Sequence, residues 1–338
     1  MDLNTLWFAL IAILFTGYFV LDGFDLGVGI LLPFLGKKDI DRRVILNTIG
    51  PHWDGNEVWL ITAGGAMFAA VPNWYATLFS GFYLALFLML LALILRGVAL
   101  EFRSKDENPT WRKLWDWAVF IGSLLPALLW GVAFANFVRG VPINAEKIFV
   151  GNFWDLINLY AILGGLVSLA IFTLQGAIFL SLKTEEPIRE KAEITAKRLW
   201  IPAFILLVLT IAATYFLSDI PDRLGINLTV LPFLILLAGG LTLWFITKRR
   251  MGRAFIANSV TILLGMVNLF AILYPRVMVS ILDPNFSLTI YNSASGVNTL
   301  RIMSIVAAIF VPVVLVYQGW SYWIFRKRVT TKAEDLHY

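Results

Sequence analysis

Nine long apolar runs separated by short polar loops leave this chain few ways to fold. They lie near 6–35, 54–71, 74–102, 114–138, 153–182, 199–217, 228–247, 254–274 and 300–325. Each is rich in Leu, Ile, Val, Ala and Phe, and most reach the roughly 20 residues a helix needs to cross a bilayer. Hydrocarbon offers no partner to a free backbone group, so such runs must be helices. The alternating pattern of a membrane barrel is absent. The second run is the shortest and most polar. Charged residues make up only 14% of the 338 positions and hydrophobic ones 59%. A soluble domain could not cover itself with so few charges, and a disordered chain would not be this apolar. The expected fold class is an all-α, polytopic membrane protein with nine transmembrane helices in one domain, 1–338.

Lys and Arg set the orientation. Lys37, Lys38, Arg42 and Arg43 occupy the first loop, Arg103, Lys105, Arg112 and Lys113 the third. Lys183, Arg189, Lys191, Lys197 and Arg198 fall in the fifth, Lys248, Arg249, Arg250 and Arg253 in the seventh, and Arg326, Lys327, Arg328 and Lys332 in the tail. The even loops hold only Arg139, Lys147, Arg223, Arg276 and Arg301. The odd loops and C-terminus are therefore expected inside, the N-terminus outside. An odd span count requires the same. This placement also removes the nucleic-acid reading that a net charge of +5 could suggest. The first run is too long for a signal-peptide core and lacks a basic leader, so it is read as retained.

Trp7, Trp74, Trp154 and Trp323 sit near span ends, where interfacial anchors belong. Gly64-Gly65, Gly164-Gly165 and Gly239-Gly240 read as close-packing points between helices. Loop 183–198, with alternating charge, reads as a short solvated helix, and 275–298 as the longest outer loop. Phe19-Val20-Leu21-Asp22-Gly23 loosely resembles Phe172-Thr173-Leu174-Gln175-Gly176, which suggests a parallel repeat of four helices.

The chemistry lies in the charges inside the spans. Asp22, Asp25, Asp54, Glu57, Arg96 and Glu101 stand out. At 1.5 Å per residue, Asp22 lies about 20 Å and Asp25 roughly 15 Å from the inner end of the first helix, with Glu57 and Arg96 about 10 Å deep. All six fall in the cytoplasmic half, as in an inlet and unlike a through-channel. Asp22 and Asp25 share a helix face, as do Asp54 and Glu57, so the two pairs could form a carboxylate ladder. Crowded carboxylates cannot all ionise in low dielectric, and protonated members can pass protons, with Arg96 holding one as the anion. The competing reading is structural: ion pairs that pack helices, with Asp54 as an N-cap and Glu57 completing a capping box.

The chain has no cysteine, which removes disulfides, zinc–thiolate sites, iron–sulfur clusters and thiolate-bound haem. His52 and His337 are the two histidines. A lone His52 is more often hydrogen-bonded structure than a ligand, and His337 is tail. The methionines read as packing, and no phosphate-binding glycine spacing exists.

At Gly50-Pro51-His52-Trp53-Asp54-Gly55-Asn56-Glu57-Val58-Trp59-Leu60 the sequence becomes specific. Together with Leu21-Asp22-Gly23-Phe24-Asp25-Leu26-Gly27-Val28-Gly29, it resembles subunit II of the cytochrome bd-type quinol oxidases. Ser80-Gly81-Phe82-Tyr83 with Arg96, Arg103-Ser104-Lys105 before Trp111-Arg112, Trp115-Asp116-Trp117, Gly131-Val132-Ala133-Phe134-Ala135-Asn136 and Thr173-Leu174-Gln175-Gly176-Ala177 extend the likeness.

The resemblance implies two four-helix bundles, over 1–140 and 153–274, plus a ninth helix at 299–326. It implies a heterodimer with a homologous subunit I in the bacterial cytoplasmic membrane, among lipids, and a small single-helix subunit is a further partner the family admits. Haems b and d belong to subunit I, and quinol is the substrate of the complex. This chain would ligate no cofactor or metal and would not be catalytic alone. The complex reduces dioxygen to water with cytoplasmic protons and builds a gradient without pumping. The family's proton-uptake acid matches Asp54, beside Trp53 and His52; Asp22, Asp25 and Arg96 match polar residues around it. The rivals are a secondary transporter, which needs polar lining in both halves, and a purely structural partner subunit.

Overall fold

The computed structural model describes residues 2–217, 230–332 and 336. Among these residues, eleven α-helices run α1 Leu3–Leu35, α2 Asp39–Ile49, α3 Trp53–Ala70, α4 Pro72–Gly81, α5 Tyr83–Phe102, α6 Pro109–Arg139, α7 Leu159–Lys183, α8 Ile188–Leu217, α9 Val230–Thr247, α10 Met251–Leu273 and α11 Val297–Ile324. A small antiparallel hairpin, β1 Arg276–Met278 and β2 Leu288–Thr289, lies between α10 and α11. Arg223 and His337 lie outside the described residues.

Among the described residues, eight helices are long and apolar enough to cross a membrane: α1 and α5 through α11. The expected second span, 54–71, appears as α3, whose 18 residues carry Asp54, Asn56 and Glu57 and fall outside that set. The expected third span, 74–102, is two helices. Pro72 cannot donate to the α3 ladder and starts α4, which ends after Gly81, where the Phe149 ring stands 2.7 Å from the position of a Cβ. The first loop contains a helix the sequence reading lacked: α2 buries Val44, Ile45, Leu46 and Ile49. Nor is 183–198 a separate solvated helix. Residues 188–198 are the first turns of α8, and Ile188, Ala192 and Ala196 are buried.

Among the described residues, polar loops gather at two ends. At one, Asp39 pairs with Arg103 at 2.8 Å and Arg112 at 2.7 Å, and Arg43 donates to the Leu336 carbonyl at 3.0 Å. Lys183 donates to the Phe325 carbonyl, and Val329 N–H to the Lys183 carbonyl at 2.8 Å. The first, third and fifth loops and the tail are thus tied together. At the other end, segment 275–295 bonds to Val141, Ile143, Ala69 and Ala70, and Tyr291 reaches Asp2. α3 runs between these ends, with His52 near Lys183 and Ala70 bonded to Ser295.

Two apolar clusters fill the interior. One is aromatic: Phe15 and Phe19 of α1 meet Phe134 of α6 edge-on, each at 5.3 Å. The other joins α1, α2, α7 and α8 around Val28, Ile45 and Ile178. α1 and α7 touch backbone to backbone. A Cβ on Gly27 would lie 2.0 Å from the Phe172 carbonyl oxygen, and one on Gly176 would lie 2.3 Å from the Gly27 carbonyl carbon. The two motifs that suggested a repeat meet at this crossing, where the Phe19 and Phe172 rings lie 5.2 Å apart. A Cβ on Gly164 would lie 2.7 Å from Gly131 O, but Gly64, Gly65 and Gly240 face open space. Trp154 and Trp323 are exposed as anchors would be; Trp7 and Trp74 are buried instead. Trp7 donates to Leu300 O and Ser304 Oγ of α11, and Trp74 packs edge-on against Phe137.

Candidate proton-transfer site

Helix geometry and one long side chain build the site. Asp22 and Asp25, three residues apart on α1, both face inward and are fully buried. Glu57 of α3 lies across from them, and Arg96 of α5 reaches in from the third side. The Arg96 guanidinium Nη2 donates to Asp22 Oδ1 at 2.7 Å and to Glu57 Oε1 at 2.5 Å. A buried arginine held by two carboxylates keeps its charge. Asp25 takes a different partner: Asn56 Nδ2 donates to its Oδ2 at 2.6 Å. Asn56 Oδ1 in turn accepts from Gln318 Nε2 at 3.1 Å and Tyr322 OH at 2.8 Å, and Trp59 donates to Gln318 at 2.6 Å. The network thus spans α1, α3, α5 and α11.

The four acids do not form one ladder. Asp22 and Glu57 share Arg96, Asp25 pairs with an amide, and Asp54 stands apart, exposed and accepting no hydrogen bond among the described residues. Nor does Asp54 cap α3. His52 is the N-cap residue, no side chain bonds there, and Asp54 sits in the first turn. This start of α3 is set by packing. The His52 ring stacks on Tyr322 at 4.4 Å and meets Phe325 edge-on at 5.9 Å. Burial, and secondarily the Lys183 charge, push the His52 pKa down to about 4, so the ring is neutral at pH 7. Trp53 packs its ring on Gly97, 3.1 Å from the position of a Cβ.

Glu57 is the member that opens outward, its side chain 17% exposed while Asp22 and Arg96 are sealed. It lies in the wall of a groove of about 1110 Å³ between α3, α4 and α5, with Trp53 and the exposed Glu101 near it and Gly64 and Gly65 further along. Inside, Tyr18 OH faces Asp22, and Asp25 Oδ1 and Arg96 Nε and Nη1 are buried with no protein partner among the described residues.

Asn56, Gln318, Tyr322 and Tyr18 were not singled out from sequence, where only charges were counted. A count of neutral polar residues would have found Gln318 and Tyr322, spaced i,i+4 on the ninth run. A second ionic cluster was also missed. Asp116 accepts from Arg103 at 2.6 Å and Arg42 at 2.6 Å, with Arg103 fully buried, and fixes α2 against the α5–α6 turn.

Residues 3–325 match the family described as Cytochrome bd terminal oxidase subunit II. The chain belongs to that family. It is 43% identical over 331 residues to cytochrome bd ubiquinol oxidase subunit 2 of Bacillus subtilis (strain 168), covering 98% of each chain. It is 37% identical over 370 residues to cytochrome bd-I ubiquinol oxidase subunit 2 of Escherichia coli (strain K12), covering 99% of this chain and 96% of that one. The fold agrees: a chain of the bd oxidase structure from Geobacillus thermodenitrificans superposes with a TM-score of 0.75 at 19% identity, over 97% of this chain and 100% of that one.

Axial ligation of haem needs His, Met, Cys or Tyr, and His52, the one histidine among the described residues, has its ring packed between Tyr322 and Phe325. No group of three or more His, Cys, Asp or Glu that could hold a metal exists among the described residues.

Proposed function

We propose that this chain is the membrane subunit of a bd-type ubiquinol oxidase that braces a haem-bearing subunit I and supplies it with cytoplasmic protons for the reduction of dioxygen to water. The haems and the quinol chemistry reside in that partner. One observation carries the proton-supply reading: a sealed Asp22–Arg96–Glu57 cluster with Asp25 beside it opens through a single acid, Glu57, onto a groove. A carboxyl group in the wall of an apolar groove is costly against lipid, so the groove calls for a protein cover. We assign that cover to subunit I. Protons would be received at exposed Asp54, one turn before Glu57, and passed inward along the unpaired polar atoms of the cluster.

The same reading has nine membrane crossings, with α3 as the second and the α4–α5 pair as the third, arranged as two four-helix bundles with α11 peripheral. The packing of α6 on α5 and α1, and of α10 on α9 and α7, supports it. The basic odd loops, tied together at one end, support a cytoplasmic C-terminus and an outer N-terminus. At about 27 Å, α3 is short for a bilayer of about 30 Å, and snorkelling of its polar first turn makes up the difference.

In the assembled oxidase, Asp54→Asn should slow oxygen consumption while the haem spectra persist. Normal turnover with unchanged coupling would remove Asp54 from the route. The double pairing of Arg96 also favours a second reading, in which the cluster only fastens helices. That reading predicts that Asp22→Asn lowers stability and leaves the proton yield per dioxygen and the pH profile untouched.

A further inference from the structure

We infer that Asn56 is a positioning residue for Asp25, holding it out of the Arg96 ion pair, and that Gln318 and Tyr322 of α11 fix the orientation in which it does so. The inference rests on the proton-supply reading and adds to it the device that keeps the two α1 acids chemically distinct.

Asn56 is fully buried and uses both ends of its amide. Its Oδ1 accepts from two donors, Gln318 Nε2 at 3.1 Å and Tyr322 OH at 2.8 Å. An oxygen serves that role and an NH₂ does not, so these bonds define which atom is which. With Oδ1 committed toward α11, Nδ2 points at α1, 2.6 Å from Asp25 Oδ2 and 3.4 Å from the Leu21 carbonyl. The donors are themselves held. Trp59 bonds Gln318 at 2.6 Å, and His52 stacks on Tyr322 at 4.4 Å.

Asp25 and Asp22 share one face of α1, and Arg96 has two buried guanidinium nitrogens, Nε and Nη1, with no protein partner. Without Asn56, the nearest compensation for Asp25 is that cation. With Asn56 in place, Asp22 is ion-paired and Asp25 rests on a neutral donor. Two acids on one helix face are thus held by chemically different partners, a cation for Asp22 and an amide for Asp25. The charged and titratable groups around Asp25 are Asp22 on α1, Glu57 on α3, Arg96 on α5 and Tyr322 on α11.

The arrangement also helps hold α11 on the body. Leu300 is its one buried residue among those described, so polar bonds add to the packing of Met303, Ala307 and Tyr322 in locating it. Trp7 ties its start through Leu300 O and Ser304, and Asn56 and Trp59 tie its second half. A shift of α11 would release the Asn56 amide and alter the surroundings of Asp25.

The test uses the whole oxidase. The carboxyl C=O stretch that disappears in Asp25→Asn is first assigned by infrared difference spectroscopy. Asn56→Leu, similar in volume but without donors, should move that band. It should also displace the pH–activity profile toward higher pH by about one unit, the size of a lost hydrogen bond to a carboxylate. Tyr322→Phe, which leaves Asn56 in place, should move both in the same direction by less, and Asn56→Gln should restore part of the shift. If Asn56→Leu does not assemble, Tyr322→Phe and Gln318→Leu decide. An unmoved band and profile in these variants would overturn the inference. Normal proton coupling in Asp25→Asn would instead retire the proton-supply reading, while a moved Asp25 band in Asn56→Leu would still uphold the positioning role.

Discussion

Arg96→Leu removes the one cation shared by two carboxylates, and its consequences can be worked from the geometry. Nη2 lies 2.7 Å from Asp22 and 2.5 Å from Glu57; Arg96 and Asp22 are fully buried, and Glu57 keeps 17% of its side-chain surface. Breaking a buried pair by deleting one partner costs about 3–5 kcal/mol, because a charge is left without compensation. Asp22 carries that penalty. Glu57, open to the groove, adds about 1 kcal/mol or less, as partly exposed pairs do. In a chain of this size such a loss lowers Tm by on the order of 10 °C. The assay is thermal dissociation of the purified oxidase, followed by loss of the haem-bearing partner on size exclusion. The neutral triple variant Arg96→Leu, Asp22→Asn, Glu57→Gln should recover most of the stability, since no charge is then stranded, but not the rate of oxygen reduction. The reasoning fails if the single variant melts within about 2 °C of the parent, or if the triple variant melts no higher than the single.

Gly27→Ala puts a Cβ 2.0 Å from the Phe172 carbonyl and should cost about 1–3 kcal/mol by prying α1 from α7. Gly240→Ala meets nothing within 4 Å and lies outside the groove, so it should melt like the parent, read by the same dissociation assay. Asp116→Ala leaves buried Arg103 only its pair with the exposed Asp39; a loss of about 3 kcal/mol, the low end for a broken buried pair, and faster hydrogen exchange across 36–53 are expected. His52 has its pKa lowered from 6.5 to about 4 by burial, so the unfolded chain binds the extra proton between those values. Its contribution to stability is complete above about pH 6.5 and fades as the pH falls toward 4. His52→Gln should flatten that part of the stability profile and leave the haem spectrum unchanged.

Hydropathy conveyed the all-helical membrane class well, because it follows from transfer free energies that act residue by residue. Helix boundaries depended on finer causes. The α4–α5 break at Phe82 reflects a ring occupying the space beside Gly81, a tertiary contact that no local pattern announces. α2 was legible in principle, from Val44-Ile45-Leu46 and Ile49 on one face, but a polar loop was expected and the apolar stripe was passed over. Asp22, Asp25, Glu57 and Arg96 emerged from sequence because intramembrane charge is rare, and the structure brings these four together. How they pair could not be read. The spacing of Asp22 and Asp25 is compatible with a shared partner, and only the α3–α11 packing sends Asp25 to Asn56. Asp54 and Glu101 lie outside the hydrogen-bonded core because their turns face outward. Gln318 and Tyr322 are neutral, and neutral amides and phenols do not stand out in an apolar run.

The central claim is that protons reach the partner's chemistry through the acids of this chain from the face bearing the basic loops. Its most direct test is single-turnover proton uptake from the cytoplasmic-side compartment by oxidase oriented in vesicles, compared for the parent, Asp54→Asn and Glu57→Gln. The account predicts that both variants slow uptake and oxygen reduction together, with haem content and spectra intact. Uptake at the parental rate in both, from that compartment, would contradict it.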